Sequence, residues 1–348
     1  MKILFVCDTM GSGGAERVIS TLSNEFVARE NDVTIVMLSS VASEPFYKLD
    51  NQIELIHLAE HQKKLGFLKK ARLLKKVILG CHPDIVISFL SYVCIYTWQA
   101  LKRTNIPYIT CERNDPNQRN RIKQFFLNLS FKKASGSVFQ TEDALKWYSK
   151  VARKNVVVIH NPVNLTSSPN DKKNIKNQIL FVGRLTDQKN CFMLFEAFEI
   201  FVRKHNDFTL KLYGGGELET NLKALASQKG LNEKVLFLSP SKTWHKDEFN
   251  SRLFVLPSKY EGMPNVLSEA LCLGIPSVST DCTIGGPKEL KMIFPDLLIL
   301  SKKIDASSFA QAMEEALNIN PQKPSIPNEL EAEHITSKWL EFIKQIVK

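Results

Sequence analysis

The sequence predicts an α/β protein built from two doubly wound, Rossmann-like domains. Three observations carry this. At 348 residues the chain exceeds what one hydrophobic core usually organises. Short apolar runs alternate with helical stretches from end to end, which implies βαβ units and mostly parallel sheets. The polar segment 160–177, which holds two prolines, interrupts that alternation near the middle and marks a hinge. The expected domains are therefore 1–165 and 166–325, with a last helix in 326–348 crossing back to the first domain.

In the first half, strands are expected at KILFVC (2–7), DVTIVML (32–38), IELIHL (53–58), IVISFL (85–90), PYITCE (107–112), GSVFQ (136–140) and VVVIH (156–160). Helical periodicity fills 15–29, 66–79, 92–103, 119–131 and 142–151 between them. The second half repeats the style. Its strands are QILFVG (178–183), FTLKLYG (208–214), KVLFLS (234–239), LFVLPS (253–258), PSVST (276–280) and LLILS (297–301). Helices fall near 190–205, 217–229, 245–250, 265–273 and 305–317, and a final one at roughly 328–347 follows the proline-rich PQKPSIP (321–327). Open parallel sheets bind ligands at the carboxyl ends of their strands, so the motifs worth reading lie there.

Composition removes several classes. A hydrophobic share of 44% against 24% charged is that of a globular chain, so disorder and collagen-like structure are excluded. No apolar run approaches the roughly 20 residues a membrane-spanning helix needs, and MKILFVCDTM reads as a first strand rather than a signal peptide. Seven scattered cysteines without a C-x-x-C pair fit reduced thiols in a cytosolic protein better than a disulfide frame or a zinc site. The net charge of +10 is lopsided: 1–165 holds 23 Lys/Arg against 14 Asp/Glu, whereas 166–348 holds 23 against 22. A basic surplus confined to one half attracts polyanions, whether nucleic acid, anionic lipid or phosphorylated substrates.

Three stretches could carry chemistry. GSGGAER (11–17) follows the first strand and opens a helix, so glycines there let backbone approach an anion closely. A nicotinamide fingerprint is not met, because Glu16 stands where the third glycine belongs, and Ser39 and Ser40 where a ribose-binding acid would follow the second strand. FVGRLTDQKN (181–190) ends a strand and then sets Arg184 and Lys189 around a short loop. A planar fork beside a movable point charge suits a diphosphate. YEGMPNVLSEALCLG (260–274) turns after a strand and enters a helix, with Asn265 expected as its N-cap. The amides of Gly262, Met263, Asn265 and Val266 are its available donors, since Pro264 has none. Glu261 and Glu269 lie at different depths along one face. Two bidentate acceptors at that spacing suit the hydroxyls of a sugar and a ribose.

In this order and spacing the three stretches resemble the retaining nucleotide-sugar glycosyltransferases of family 4, whose GT-B fold is two Rossmann-like domains around a cleft. The resemblance spans nearly the whole chain, and DCTIGGPKEL (281–290) adds to it, as a similar stretch recurs in bacterial polysaccharide members. It implies that Arg184 and Lys189 bind the donor diphosphate, Glu261 and the amides after it the donor sugar, and Glu269 the ribose. It also implies that Gly13 and Gly14 approach the phosphates, that Glu16 and Arg17 lie nearer the acceptor, and that backbone near Leu238–Ser241 reads the base. One departure matters: Arg113, in TCERNDP (110–116), stands where many members carry a histidine. An arginine cannot act as a base but can hold a diphosphate. A backbone carbonyl within 112–114 is then expected to steady the oxocarbenium-like transition state.

The expected enzyme is a metal-independent hexosyltransferase without cofactor, as the chain contains no D-x-D. Its donor is expected to be UDP-linked and its acceptor a lipid-diphosphate-linked glycan of surface polysaccharide synthesis. HQKKLGFLKKARLLKKVILG (61–80) has seven Lys/Arg, no acid and apolar residues at 3–4 spacing, so a membrane-resting helix with a basic and an apolar face is expected, on the cytosolic side. The alternative there is a core-facing helix with solvated lysines. A nucleic-acid-binding module lacks any accompanying motif or aromatic platform. A soluble-glucan synthase or sugar-nucleotide epimerase on the same fold remains the other alternative.

Overall fold

The central strands read as unbroken apolar runs because both of their faces are covered, which is the condition of a parallel sheet inside helical layers. The computed structural model describes residues 1–39, 44–58, 66–113, 121–152, 154–165 and 174–348. It divides into two units, Met1–Pro162 with Asn328–Lys348, and Val163–Pro327. The expected hinge at 160–177 thus contains the change of unit, although 166–173 lies outside the described residues.

In the first unit the order is β1 (Lys2–Cys7), α1 (Gly14–Val27), β2 (Asp32–Met37), β3 (Glu54–His57), α2 (Phe67–Cys81), β4 (Ile85–Phe89), α3 (Ser91–Leu101), β5 (Tyr108–Cys111), α4 (Arg121–Lys133), β6 (Gly136–Phe139), α5 (Glu142–Tyr148) and β7 (Val156–Val158). The strands form one parallel sheet in the order β3-β2-β1-β4-β5-β6-β7. Spacing of three and four puts Val18, Ile19, Leu22 and Phe26 of α1 on one stripe, and all four are buried against the sheet. On the other face α2, α3 and α4 pack side by side.

The second unit runs β8 (Lys176–Val182), α6 (Cys191–Val202), β9 (Thr209–Tyr213), α7 (Glu219–Gln228), β10 (Val235–Leu238), α8 (Trp244–Asp247), β11 (Ser251–Leu256), α9 (Asn265–Cys272), β12 (Ser277–Thr280), α10 (Gly286–Ile293), β13 (Leu298–Ser301) and α11 (Ala306–Ala316). Its parallel sheet is ordered β10-β9-β8-β11-β12-β13. The last helix, α12 (Ala332–Val347), belongs to the first unit. Its Ile335, Trp339 and Ile343 are buried in the α1 side of that core, with the Trp339 ring 6.2 Å from that of Phe89. A Cβ on Gly136 would sit 2.5 Å from the end of the Ile346 side chain, so glycine lets these side chains of α12 pack directly on β6.

Three expectations need correction. Helix α10 begins within the Gly-Gly-Pro stretch, at Gly286, where no helix was expected. Asn265 begins α9 rather than capping it; the cap position is Pro264. The apolar stripe of α2 is not free: Ala71, Leu74 and Ile78 are buried in the core beneath α3, which leaves Phe67, Leu68 and Leu79 exposed. Residues 61–65 of the basic segment lie outside the described residues. Among the described residues no helix is long and apolar enough to cross a membrane.

Candidate active site

Both sheets reverse their strand order beside the first strand, between β1 and β4 and between β8 and β11. At such a point the loops leaving two neighbouring strands diverge to opposite faces and open a crevice. This places the loops after β8 and β11 together although some 70 residues separate them in the chain.

In the second unit, β8 ends at Val182 and the chain turns through Gly183 and Arg184 into a short 3-10 turn, Asp187–Lys189. The turn cannot drift, because three glycines following β9 press on it. A Cβ on Gly214 would stand 1.9 Å from the Gly183 carbonyl oxygen, and one on Gly216 2.4 Å from that of Leu185. The Leu185 amide donates to the Gly215 carbonyl at 3.0 Å. This Gly-Gly-Gly run was missed in the sequence, where its position at a strand end was the available signal.

From β11 the chain passes Ser258 and Tyr260 to Glu261. Lys189 Nζ donates to Glu261 Oε1 at 2.5 Å, and Ser258 Oγ donates to the same oxygen at 2.7 Å. Two backbone ties hold the loops together: Gln188 Nε2 donates to the Tyr260 carbonyl at 3.1 Å, and the Lys259 amide to the Gln188 carbonyl at 2.9 Å. Lys259 Nζ also meets Asp187 Oδ1 at 2.5 Å. The Lys189 and Glu261 side chains are only 12% and 10% exposed, so their attraction is little screened by water. Arg184 is exposed and reaches Gln188 Oε1 at 3.3 Å, so the fork stands at the rim while the lysine stands inside.

The turn after Glu261 is fixed from behind. Residues 281–285 return beside it through a parallel bridge between Tyr260 and Thr283, and Thr280 Oγ1 donates to the Ser258 carbonyl. Ile284 and Gly285 both take positive φ, 72° and 73°, an uncommon conformation for a β-branched residue. Gly286 then lies so close that a Cβ there would fall 1.5 Å from the Gly262 carbonyl oxygen. Met263 and Pro264 are buried, Gly262, Asn265 and Val266 half-buried, and Glu269 is buried at 1% exposure one turn into α9. Burial first, and then the Glu261 charge, push the Cys282 thiol up to about 12, so this neighbour of the loop stays protonated and inert. Leu238, at the end of β10, accepts the Gly214 amide through its carbonyl at 3.0 Å, which leaves the following residues as the freer backbone.

The first unit is arranged differently. Gly13 caps α1 in an extended conformation, and Glu16 folds back over it: a Cβ on Gly13 would stand 2.2 Å from Glu16 Oε2. The carboxylate thus lies beside the positive start of its own helix, and Thr9 Oγ1 donates to its Oε1 at 3.4 Å. Gly14 is the first helical residue, and the guanidinium of Arg17 lies 5.9 Å from the Tyr47 ring centre. Arg113 donates to Asn161 Oδ1 and stacks over the Phe89 ring at 4.3 Å, with Nε unpartnered among the described residues. Burial pulls its pKa down to about 10, yet it remains a cation at neutral pH. Glu112, 3% exposed, accepts from the Arg113 amide at 2.8 Å and from Ser91 Oγ at 2.7 Å. Asn114, the far end of the expected carbonyl segment, lies outside the described residues. Asp8 and Tyr92, which no motif singled out, also meet at the end of β1. Burial and a hydrogen bond to the Asp8 carboxylate raise the Tyr92 phenol well above its usual range. Their signal was position, since Asp8 directly follows β1.

Set beside known proteins, residues 12–167 match the model described as Glycosyltransferase Family 4, and residues 165–329 that described as Glycosyl transferases group 1. An uncharacterised glycosyltransferase of Methanocaldococcus jannaschii is 30% identical over 75% of this chain and 72% of its own length. A Campylobacter jejuni protein is 27% identical over 99% of both chains. Its name is GalNAc-alpha-(1->4)-GalNAc-alpha-(1->3)-diNAcBac-PP-undecaprenol alpha-1,4-N-acetyl-D-galactosaminyltransferase. The fold is that of Anabaena HepE solved in complex with UDP-glucose, with a TM-score of 0.76, 19% identity, and coverage of 99% of this chain and 98% of that one.

Proposed function

As the chain belongs to the glycosyltransferases of these two family models, we propose that it moves a hexose or N-acetylhexosamine from a UDP-sugar to a lipid-diphosphate-linked glycan, with retention and without a metal, in surface polysaccharide synthesis. The observation that carries the reading is the 2.5 Å contact between Lys189 and Glu261, which joins the phosphate-binding candidate to the sugar-binding one. A nucleoside diphosphate-sugar presents its anionic link and its hydroxyls at adjacent points, and this pair offers a cation and a carboxylate at adjacent points.

In this reading the leaving diphosphate takes up charge as the glycosidic bond breaks, and Lys189, Arg184 and nearby amides meet that charge. Glu261, Gly262, Met263 and the start of α9 at Asn265 and Val266 hold the sugar, while Glu269 holds the ribose and backbone after Leu238 the base. Gly13 and Gly14 offer amides to the phosphates. Retention follows if the acceptor hydroxyl attacks the same face that the diphosphate leaves, the leaving oxygen taking the hydroxyl proton. Glu16, Arg17 and Arg113 are assigned to the acceptor. UDP is preferred because the HepE structure holds UDP-glucose, and the lipid-diphosphate acceptor because the Campylobacter relative is named for one. Such an acceptor sits at a membrane, and the exposed lysines of α2, among them Lys69 and Lys76, support contact with an anionic surface.

The test is a thermal-shift panel of UDP-, GDP- and ADP-sugars. A UDP-sugar at 100 times its Kd is expected to stabilise the protein by about 2.7 kcal/mol. No shift with any nucleotide sugar overturns the donor reading, and a GDP- or ADP-sugar response alone overturns the choice of UDP.

A further inference from the structure

Helix α4 is apolar on two sides. Its inner stripe, Leu127 and Phe131, is buried, with the Phe131 ring 5.8 Å from Phe139 and 4.9 Å from Tyr148. Its outer stripe, Ile122, Phe125 and Phe126, follows the same 3–4 spacing and is 72%, 59% and 42% exposed. A helix satisfied by the core needs apolar residues on one stripe only, and a second stripe of large side chains facing water marks a surface that something else covers.

The charge around the stripe says what. Arg121, Lys123, Lys132 and Lys133 are all exposed, and 121–133 contains no Asp or Glu. Across the same helical layer, α2 contributes the exposed Phe67 and Leu68 beside the exposed Lys69. Hydrocarbon-seeking side chains framed by cations, on a helix that carries no acid from 121 to 133, match a surface that is anionic at its headgroups and apolar just beneath. We propose that the outer face of α4 is a membrane-insertion face: Ile122, Phe125 and Phe126 enter the acyl boundary of an anionic leaflet while the surrounding cations meet its phosphates. This moves the apolar part of membrane contact from α2, whose stripe the core has taken, to α4. It adds to the reading of a lipid-linked acceptor and fails separately from it.

The experiment measures partition of the whole protein onto phosphatidylcholine vesicles with and without phosphatidylglycerol. Binding is expected only with phosphatidylglycerol, and I122S/F125S/F126S is expected to lower it by about tenfold or more, since losing even one buried aromatic side chain is worth that much in a binding constant. Thermal shift with the UDP-sugar is expected to be the same in the triple variant and the parent, which separates this proposal from the donor reading. F125W, a change at an exposed position, is expected to add emission that shifts to the blue with anionic vesicles. The proposal is overturned if the parent ignores anionic vesicles, if the triple variant binds them as the parent does, or if the emission added by F125W stays that of a wet side chain. Concentration-dependent self-association that the triple variant abolishes assigns the face to a second copy of this chain and overturns it equally.

Discussion

The carboxyl edges of the two sheets share one topology and tie their loops with different chemistry. In the second unit, opposite charges from different strand ends are tied to each other, Lys189 to Glu261 and Lys259 to Asp187, and the Gln188 side chain holds the Tyr260 carbonyl. In the first, strand ends are tied as well, but not by opposite charges: Ser91 donates to Glu112, and the Arg113 cation rests on the neutral Asn161 and Phe89, while Glu16 lies over its own helix cap. The first unit also carries the basic surplus and the exposed aromatic stripe. In the proposed function, the small diphosphate-sugar link falls to the largely buried Lys189–Glu261 pair, which its own ties hold in place. In the same proposal the acceptor falls to the first unit, where exposed cations and apolar side chains spread over a wider face.

The largest test of this contrast removes a tie in the second unit. Lys189→Ala is expected to lower turnover with the UDP-sugar by about 10²–10³ while the far-ultraviolet spectrum stays native. Unchanged steady-state kinetics in both K189A and R184A would break the assignment of the phosphate site. Next, Gly286→Ala places a methyl group on the Gly262 carbonyl, so the turn after Glu261 must move. It is expected to raise the donor KM about tenfold and to destabilise by about 1–3 kcal/mol, as forced overpacking does. Calorimetry beside initial rates measures both, and a stability loss with an unaltered KM would mean that the turn does not hold the donor. The smallest effect belongs to the first unit. Glu16→Ala is expected to cost about 1 kcal/mol, the usual worth of a helix-start interaction, and to leave donor affinity untouched. A rise in acceptor KM beside it gives that carboxylate both jobs, and a lost donor response would erase the contrast between the units.

The placement of Arg184, Lys189, Glu261 and Glu269 beyond strand ends was legible, because the apolar runs mark where each strand stops. That Lys189 faces Glu261 was not, since 72 positions separate them and only the pairing of β8 with β11 brings their loops together. Helix α10 was not legible. It is eight residues long and starts beyond Ile284 and Gly285 at positive φ, with Gly286 pressed against the Gly262 carbonyl, a tertiary contact that no local pattern encodes. In α2 the 3–4 period was visible and its partner was not, because periodicity gives the direction of a stripe and not what lies opposite.

The sequence by itself determined the two parallel-sheet units, the strands that end at each site and the residue types offered there. These follow from short-range periodicity and from side-chain chemistry, both local. Only the tertiary structure decided that Lys189 meets Glu261, that Arg113 turns onto Phe89, and that α2 spends its apolar stripe on the core while α4 keeps a second one outside. Those outcomes depend on which strands and helices become neighbours once the sheets are assembled, and that is a property of the packed chain.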